Sequence, residues 1–186
     1  NVYAGTYGNS VYKLDSSGTQ LWKFTADGIV YSVAVDDSGN VYAGTNGDSV
    51  YKLDSNGTQV WKFTADGIVY SVSVDDSGNV YAGTSGDSVY KLDSTGKQVW
   101  KFTTDNTVYS VAVDSSSNVY AGTYGNYVYK LDSTGKQIWK FNSDGIVYGI
   151  VYSVVVDNSG NVYAGTDGNS VYKLDSNGTQ VWKFTA

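Results

Sequence analysis

One segment recurs along this chain, and the repetition limits what the chain can fold into. The hexapeptide Asn-Val-Tyr-Ala-Gly-Thr occurs five times, at intervals of 39, 39, 39 and 43 residues, and the first two units match at 34 of 39 positions. A repeat of this length indicates identical supersecondary units that pack against one another. We therefore interpret residues 1–186 as one domain, with repeats at 1–39, 40–78, 79–117, 118–160 and 161–186.

Each unit is predicted to contain four short strands. In the segment that crosses the second and third repeats, strand A covers 69–74, strand B 80–84, strand C 88–92 and strand D 98–102. Val, Tyr, Trp and Thr fill these strands, while Gly, Asn, Asp and Ser fill the turns. No segment keeps a helical period over ten residues, so helix is not expected. Four strands in a 39-residue unit are typical of a propeller blade, which predicts an all-β propeller of four-stranded antiparallel blades.

The strand count leaves the first blade incomplete. The chain contains five B–C–D sets but four A strands, so the first blade is predicted to lack its innermost strand. Three arrangements remain open. The ring has five blades, with the closing strand outside this sequence or absent; the chain is part of a ring of about six to eight blades; or the open ends of several chains meet. We favour five blades, with a homo-oligomer or strand exchange through the incomplete blade as an expected form of partnership.

A nine-residue segment carries a resemblance to a known family. Leu92-Asp93-Ser94-Thr95-Gly96-Lys97-Gln98-Val99-Trp100 resembles the tryptophan-docking motif of PQQ-like β-propeller repeats, which have some kinship to NHL-type repeats. Two features depart from the motif: Lys91 stands where Ala is usual, and the turn is one residue shorter. The resemblance implies that the Trp packs between adjacent blades and that the Asp and Gly shape the turn that holds it. The corresponding structural residues are Trp22, Trp61, Trp100, Trp139 and Trp182, with Asp15, Asp54, Asp93, Asp132 and Asp175.

The composition excludes several kinds of site. The sequence has no Cys and no His, which removes zinc, haem and iron–sulfur ligation and any Ser-His-Asp triad. Quinone dehydrogenases of the resembling family use a Ca²⁺ site with a Glu ligand and often a vicinal disulfide, but here all 18 acidic residues are Asp. We therefore expect no cofactor and no metal site.

Charge and hydropathy narrow the choice of partners. The net charge is −6 and all 12 basic residues are Lys, so the chain is not expected to bind nucleic acid. No run of about 18 apolar residues occurs, so no membrane span is expected.

The B–C turns differ most among the repeats and are the candidate ligand-binding positions. In a propeller the B–C turns and D–A loops share one face, called here the B–C face, and the A–B and C–D turns share the opposite A–B face. A duplicated Gly-Ile-Val-Tyr, at 145–148 and 149–152, also falls on the B–C side. Tyr could stack on a ligand and Asn or Asp could bind hydroxyl groups; the competing interpretation is surface turns that vary freely. The candidate residues are Tyr7, Asn9, Asn46, Asp48, Ser85, Asp87, Tyr124, Asn126, Tyr127, Asp167 and Asn169.

These observations favour a non-enzymatic binding scaffold. Nearly every Asp recurs at a turn position in each repeat, so the chain lacks the asymmetric acid and base that an enzyme needs. The expected partner is a glycan or a protein, met outside the cell or at its surface. The alternative is a purely structural propeller, designed or recently amplified, that has no ligand and serves as an assembly unit.

Overall fold

The computed structural model describes residues 1–143 and 149–186, so the first Gly-Ile-Val-Tyr copy at 145–148 lies outside the described residues. Within the described ranges all regular secondary structure is β-strand, which confirms the all-β prediction. The strands are β1 Val2–Thr6, β2 Ser10–Leu14, β3 Gln20–Thr25, β4 Val30–Val35, β5 Val41–Thr45, β6 Ser49–Leu53, β7 Gln59–Thr64, β8 Val69–Val74, β9 Val80–Thr84, β10 Ser88–Leu92, β11 Gln98–Thr103, β12 Val108–Val113, β13 Val119–Thr123, β14 Tyr127–Leu131, β15 Gln137–Asn142, β16 Val151–Val156, β17 Val162–Thr166, β18 Ser170–Leu174 and β19 Gln180–Thr185.

The described strands form five antiparallel sheets, which are the blades of the propeller. The first sheet has three strands, β1–β2–β3, and each later sheet has four strands in chain order, beginning with β4, β8, β12 and β16. The absence of an innermost strand from the first blade is thus confirmed. Successive innermost strands also contact one another, β4 with β8, β8 with β12 and β12 with β16. The sheets therefore follow one another around a common axis.

The hydrophobic core lies between successive sheets. We call the side of a sheet that meets the next sheet its forward face, and the other side its rear face. Tyr42 and Val50 on the forward face of the second sheet pack against Val69, Val72 and Leu92 on the rear face of the third, and equivalent clusters fill the other junctions. Because each residue pair recurs in every repeat, one set of side chains defines all four junctions.

Close approach of the sheets depends on a glycine in each B strand. A Cβ added at Gly44 would lie 2.6 Å from Cγ1 of Val69 in the next innermost strand, which no real side chain could accept. The Ala-Gly pair in the repeated hexapeptide therefore gives the narrow packing that is needed near the axis. Gly5, Gly83 and Gly122 meet the equivalent valines in the same way.

Each D-strand tryptophan in the first four repeats contacts the following sheet. Nε1 of Trp61 donates a hydrogen bond of 3.1 Å to the carbonyl of Ser94, and its ring lies against Gly96, where a Cβ would be 2.7 Å away. Gly96 also has a φ of +86°, a conformation that favours glycine. The same contacts join Trp22 to Ser55, Trp100 to Ser133 and Trp139 to Ser176.

The aspartate of the same segment holds the C–D turn in shape. Oδ1 of Asp93 accepts hydrogen bonds from the backbone N–H groups of Thr95 and Lys97. The Thr95 hydroxyl and the Lys97 N–H lower the pKa of Asp93, because both stabilise its charged form. Asp15, Asp54, Asp132 and Asp175 bind the corresponding backbone groups.

We expect Trp100→Ala to lower the free energy of unfolding by about 2–4 kcal/mol, because it removes a half-buried ring and its hydrogen bond from a junction. Its neighbour Val99 is 55% exposed and points away from the junction, so Val99→Ala should change stability by about 0.5 kcal/mol or less. Urea unfolding followed by circular dichroism measures both values. Equal losses in the two variants would contradict the assigned role of the tryptophan.

Candidate binding faces

In the four sheets that have an innermost strand, the first variable position of the B–C turn is joined to the D–A loop that precedes the same sheet. Oδ1 of Asn46 accepts a 2.7 Å hydrogen bond from the N–H of Ile29, and Oδ1 of Asp167 accepts one of 2.9 Å from Ile150. The backbone N–H of Ser85 donates to the carbonyl of Ile68. Asn46, Ser85 and Asp167 therefore lie on the B–C face as predicted, but part of their bonding capacity holds two loops together.

The third position of the turn has a left-handed backbone in all five repeats. Its φ values lie between +54° and +69°, a region where Asn and Asp are the best tolerated residues after Gly. The carbonyl at this position also accepts the N–H of the residue that follows strand D, as in Ala26 to Asn9. Turn geometry thus accounts for the residue type at Asn9, Asp48, Asp87, Asn126 and Asn169.

An aspartate of the D–A loop, which the sequence analysis did not predict as a site residue, binds the residues on both sides of the B–C turn. Asp27 in the D–A loop accepts hydrogen bonds from the hydroxyls of Thr45 and Ser49 and forms a 2.8 Å ion pair with Lys62. Burial raises the pKa of Asp27, but the bonds from Lys62, Ser49 and Thr45 outweigh it and hold the pKa below its ordinary value. Asp66 makes the same contacts in the next repeat.

Tyr127 changes this arrangement in the fourth sheet. It replaces the Ser that starts the other C strands, and the Nζ of Lys140 lies 3.4 Å from the centroid of its ring while also pairing with Asp105. This is a cation–π contact. The sequence predicted Tyr127 as a stacking residue for a ligand, and in the structure its ring contacts Lys140.

A row of tyrosines runs across the beginnings of the innermost strands. Ring centroids lie 5.4 Å apart between Tyr31 and Tyr70, 4.9 Å between Tyr70 and Tyr109, and 5.8 Å between Tyr109 and Tyr152. We call these four residues the tyrosine row. Its strands start next to the B–C turns, since Val69 pairs with Thr84, and the row therefore belongs to the B–C face.

The backbone is irregular at each tyrosine of the row. The strand register shifts between Val69 and Ser71, and it shifts at the equivalent position of the other three innermost strands, so each row tyrosine occupies a β-bulge. A bulge re-aims a side chain out of the regular alternation of a strand. The row was missed at the sequence level, although a Tyr at the second position of every Val-Tyr-Ser-Val strand was a visible signal.

Two of the predicted ligand-binding tyrosines lie beside the row. The ring of Tyr7, which is 80% exposed, lies 6.3 Å from that of Tyr31. Burial raises the pKa of Tyr109, and the nearby hydroxyls of Tyr70, Tyr152 and Tyr124 raise it further. Tyr7 thus extends the row into the first B–C turn, and the Tyr124 hydroxyl is near enough to act on the pKa of Tyr109.

Three clefts of the described residues lie on the A–B face, opposite the predicted site. Two of them, of about 310 and 320 Å³, lie between neighbouring A–B turns and share Asp75, Asp76 and Ser77 in their walls. Their carboxylates are spread along the turns, and no group of three or more acidic residues in the described part of the chain is arranged to hold a metal ion. The expectation of no metal stays a prediction.

Asp75 is the most heavily bonded aspartate of this face. Its carboxylate accepts hydrogen bonds from Asn79, from the Tyr81 hydroxyl and from Ser117 of the next sheet. Burial raises the pKa of Asp75, but these bonds outweigh the effect and leave it below its usual value. Ser117 has a φ of +60° where other repeats have glycine, and its bond to Asp75 accompanies that strained conformation.

The repeated four-stranded sheets around a shared axis define the chain as a β-propeller. The PQQ_2 family model, described as outer membrane protein assembly factor BamB, matches residues 7–129 and 89–186. The chain therefore belongs to this family of PQQ-like repeat propellers, and the family prediction is confirmed. No curated protein gives a match to the chain.

Among the described residues, no helix is long and apolar enough to cross a membrane.

We expect stability to be nearly constant between about pH 5 and 8, because the sequence contains no His, Cys or Glu to titrate there. The folded pKa of Asp75 and of similar aspartates lies below the unfolded value of about 3.9. As the pH falls, protons therefore bind the unfolded chain first. The stability that these aspartates contribute above about pH 4 is lost as the pH falls further through their folded pKa values. Urea midpoints from pH 8 to pH 2 measure this profile.

Asp75→Asn tests the source of that acid sensitivity, with the exposed neighbour Asp76→Asn as its control. The Asp75 variant should have a lower free energy of unfolding than the wild type at pH 7. The difference should shrink toward pH 2, where protonation makes the wild-type side chain neutral, as the asparagine is. The control should follow the wild-type curve. A stability maximum or a steep slope between pH 5 and 8 would contradict this account.

Proposed function

We propose that this propeller is a non-enzymatic binding scaffold that holds an extended glycan across the tyrosine row. The observation that carries the proposal is the regular spacing of four partly exposed phenol groups, at 4.9 to 5.8 Å between rings. This spacing is close to that of successive sugar units in an extended polysaccharide. A repeated surface of this kind suits a polymer with a repeated unit, because weak identical contacts add through effective concentration.

Tyrosine has the chemistry for such a surface. Each ring offers apolar area for the C–H groups of a sugar and a hydroxyl for hydrogen bonding. Tyr70 and Tyr109 are already stacked, with an interplanar angle of 28°, so little conformational freedom would be lost on binding. Tyr7, at 80% exposure, extends the surface at one end.

The ionisation of the aspartates supports a role other than catalysis. A general acid that works near neutral pH needs a carboxyl group with a raised pKa. Ten described aspartates have a pKa that is changed in the opposite direction, because their carboxylates accept hydrogen bonds. The pKa is lowered at Asp15, Asp27, Asp36, Asp66, Asp75, Asp93, Asp105, Asp114, Asp132 and Asp157.

A protein partner is the second candidate. The matching family model is named for a factor in the assembly of outer membrane proteins, which is a role exerted on other proteins. Tyrosine-rich surfaces are also common where proteins meet. The same name supports our proposal that the chain acts outside the cell or at its surface, which fractionation of the source cells would test.

Replacing both Tyr70 and Tyr109 by Ala should weaken polysaccharide binding at least about tenfold, since it removes the stacked centre of the row. Affinity electrophoresis in gels that contain soluble α- or β-linked polysaccharides measures the change. The matched double Phe variant keeps the rings and should retain most of the binding. Val60→Ala, on the outer strand, controls for a general loss of apolar surface.

Two results would contradict the glycan proposal. If no polysaccharide retards the wild-type chain in the gel, the result favours a purely structural propeller without a ligand, or a protein partner. If retardation occurs but survives the double Ala substitution, the glycan binds elsewhere, and the tyrosine row is not the site.

A further inference from the structure

The forward face of the fifth sheet is uncovered. Val171 is 40% exposed, although its counterparts Val50, Val89 and Val128 in the earlier sheets are completely buried. Trp182 is 41% and Phe184 is 61% exposed on the same face. Among the described residues no atom lies within 4 Å of a Cβ added at Gly165, whereas the equivalent glycines of the other sheets meet a valine. The fifth sheet thus presents an apolar face that the earlier sheets bury.

The rear face of the first sheet is uncovered in the complementary way. Val2 is 55% exposed, while its counterpart Val41 is completely buried. No described atom lies within 4 Å of a Cβ at Gly18, although Gly57 at the same position of the next repeat lies against Trp22. The C–D turn of the first sheet therefore has the glycine against which a tryptophan packs at the other junctions, but no described tryptophan lies against it.

The internal junctions show what fits each open face. In all four, a tryptophan Nε1 and a lysine Nζ from one repeat donate to the same serine carbonyl of the following sheet. Trp182 and Lys173 occupy the donor positions of the fifth repeat, and Ser16 occupies the acceptor position of the first. Each open face thus carries one half of the set of contact residues seen at the four junctions.

One substitution distinguishes the fifth sheet from the other sheets that have an innermost strand. The forward position of the innermost strand is Ala34, Ser73 or Ala112 where another innermost strand packs against it, but it is Val155 in the fifth sheet. Val155 is 56% exposed. The first sheet has no innermost strand, and the larger side chain suits the additional space that such a sheet leaves.

We propose that the chain assembles head to tail, with the forward face of its fifth sheet docked on the rear face of the first sheet of a second copy. Trp182 would lie against Gly18 of the partner subunit and donate to the carbonyl of Ser16 of the partner subunit. A second copy is the occupant because the chain's own two faces do not make these contacts. Such an interface is heterologous, and it gives closed rings or open filaments according to the rotation between copies.

The molar mass of the wild-type chain in solution is the first test. Light scattering after size exclusion should give a mass above the 20.0 kDa of one chain, and the mass should rise with concentration. Trp182→Asp should remain at 20.0 kDa throughout. Val181→Asp adds the same charge on the opposite side of the strand, where valines are equally exposed in the inner repeats, and should assemble like the wild type. Circular dichroism confirms that each variant is folded.

A mixing experiment tests the polarity of the contact. Leu14 lies on the rear face, and its counterpart Leu53 is completely buried in a junction, so Leu14→Asp should also give a monomer. A mixture of Trp182→Asp and Leu14→Asp retains one intact forward face and one intact rear face, and should form a 1:1 dimer that grows no further.

Three outcomes would overturn the proposal: a wild-type mass of 20.0 kDa at every concentration, as closure of the chain on itself would give; assembly that survives Trp182→Asp; or no dimer in the mixture. Neither mass experiment involves a polysaccharide, so failure here leaves the glycan proposal standing, and the reverse also holds.

Discussion

The junction between successive sheets is the contact on which the rest of the structure depends. Each sheet is apolar on both sides, and alone it would expose both surfaces to water. A glycine in strand B allows the next innermost valine to approach, and a tryptophan in strand D closes the outer part against a glycine turn of the following sheet. Because the same residues recur, stability rises by the repetition of one interface, as in other repeat proteins.

The polar residues serve mainly to hold the turns that present these faces. The aspartates of the C–D and A–B turns accept backbone N–H groups two and four residues later. The aspartates of two D–A loops, Asp27 and Asp66, bind hydroxyls of the adjacent B–C turn. These hydrogen bonds hold the loops in shape, and they keep the pKa of Asp27 and of Asp66 below its ordinary value.

The tyrosine row follows from the same geometry. Packing near the axis requires small residues on the junction faces of the innermost strands, and the β-bulge places the one large residue, the tyrosine, outside those faces. Identical repeats then bring identical rings into contact along the B–C face. The tyrosine row is thus a consequence of repetition, and Tyr7 in the first B–C turn lies beside it.

The sequence by itself determined the repeat, the strands, the four-stranded blades and the incomplete first blade, because β-propensity and turn residues act locally and recur at one period. The one difference in the strands predicted over 69–102 is that strand D (β11) ends at Thr103, one residue later than predicted. Only the tertiary structure decided that Asn46 and Asp167 bind their neighbouring loops, that Tyr127 contacts Lys140, and that the row tyrosines meet. The first two kinds of contact join residues 13 to 17 positions apart within one sheet, and the third depends on a register shift; a local pattern of residues encodes neither.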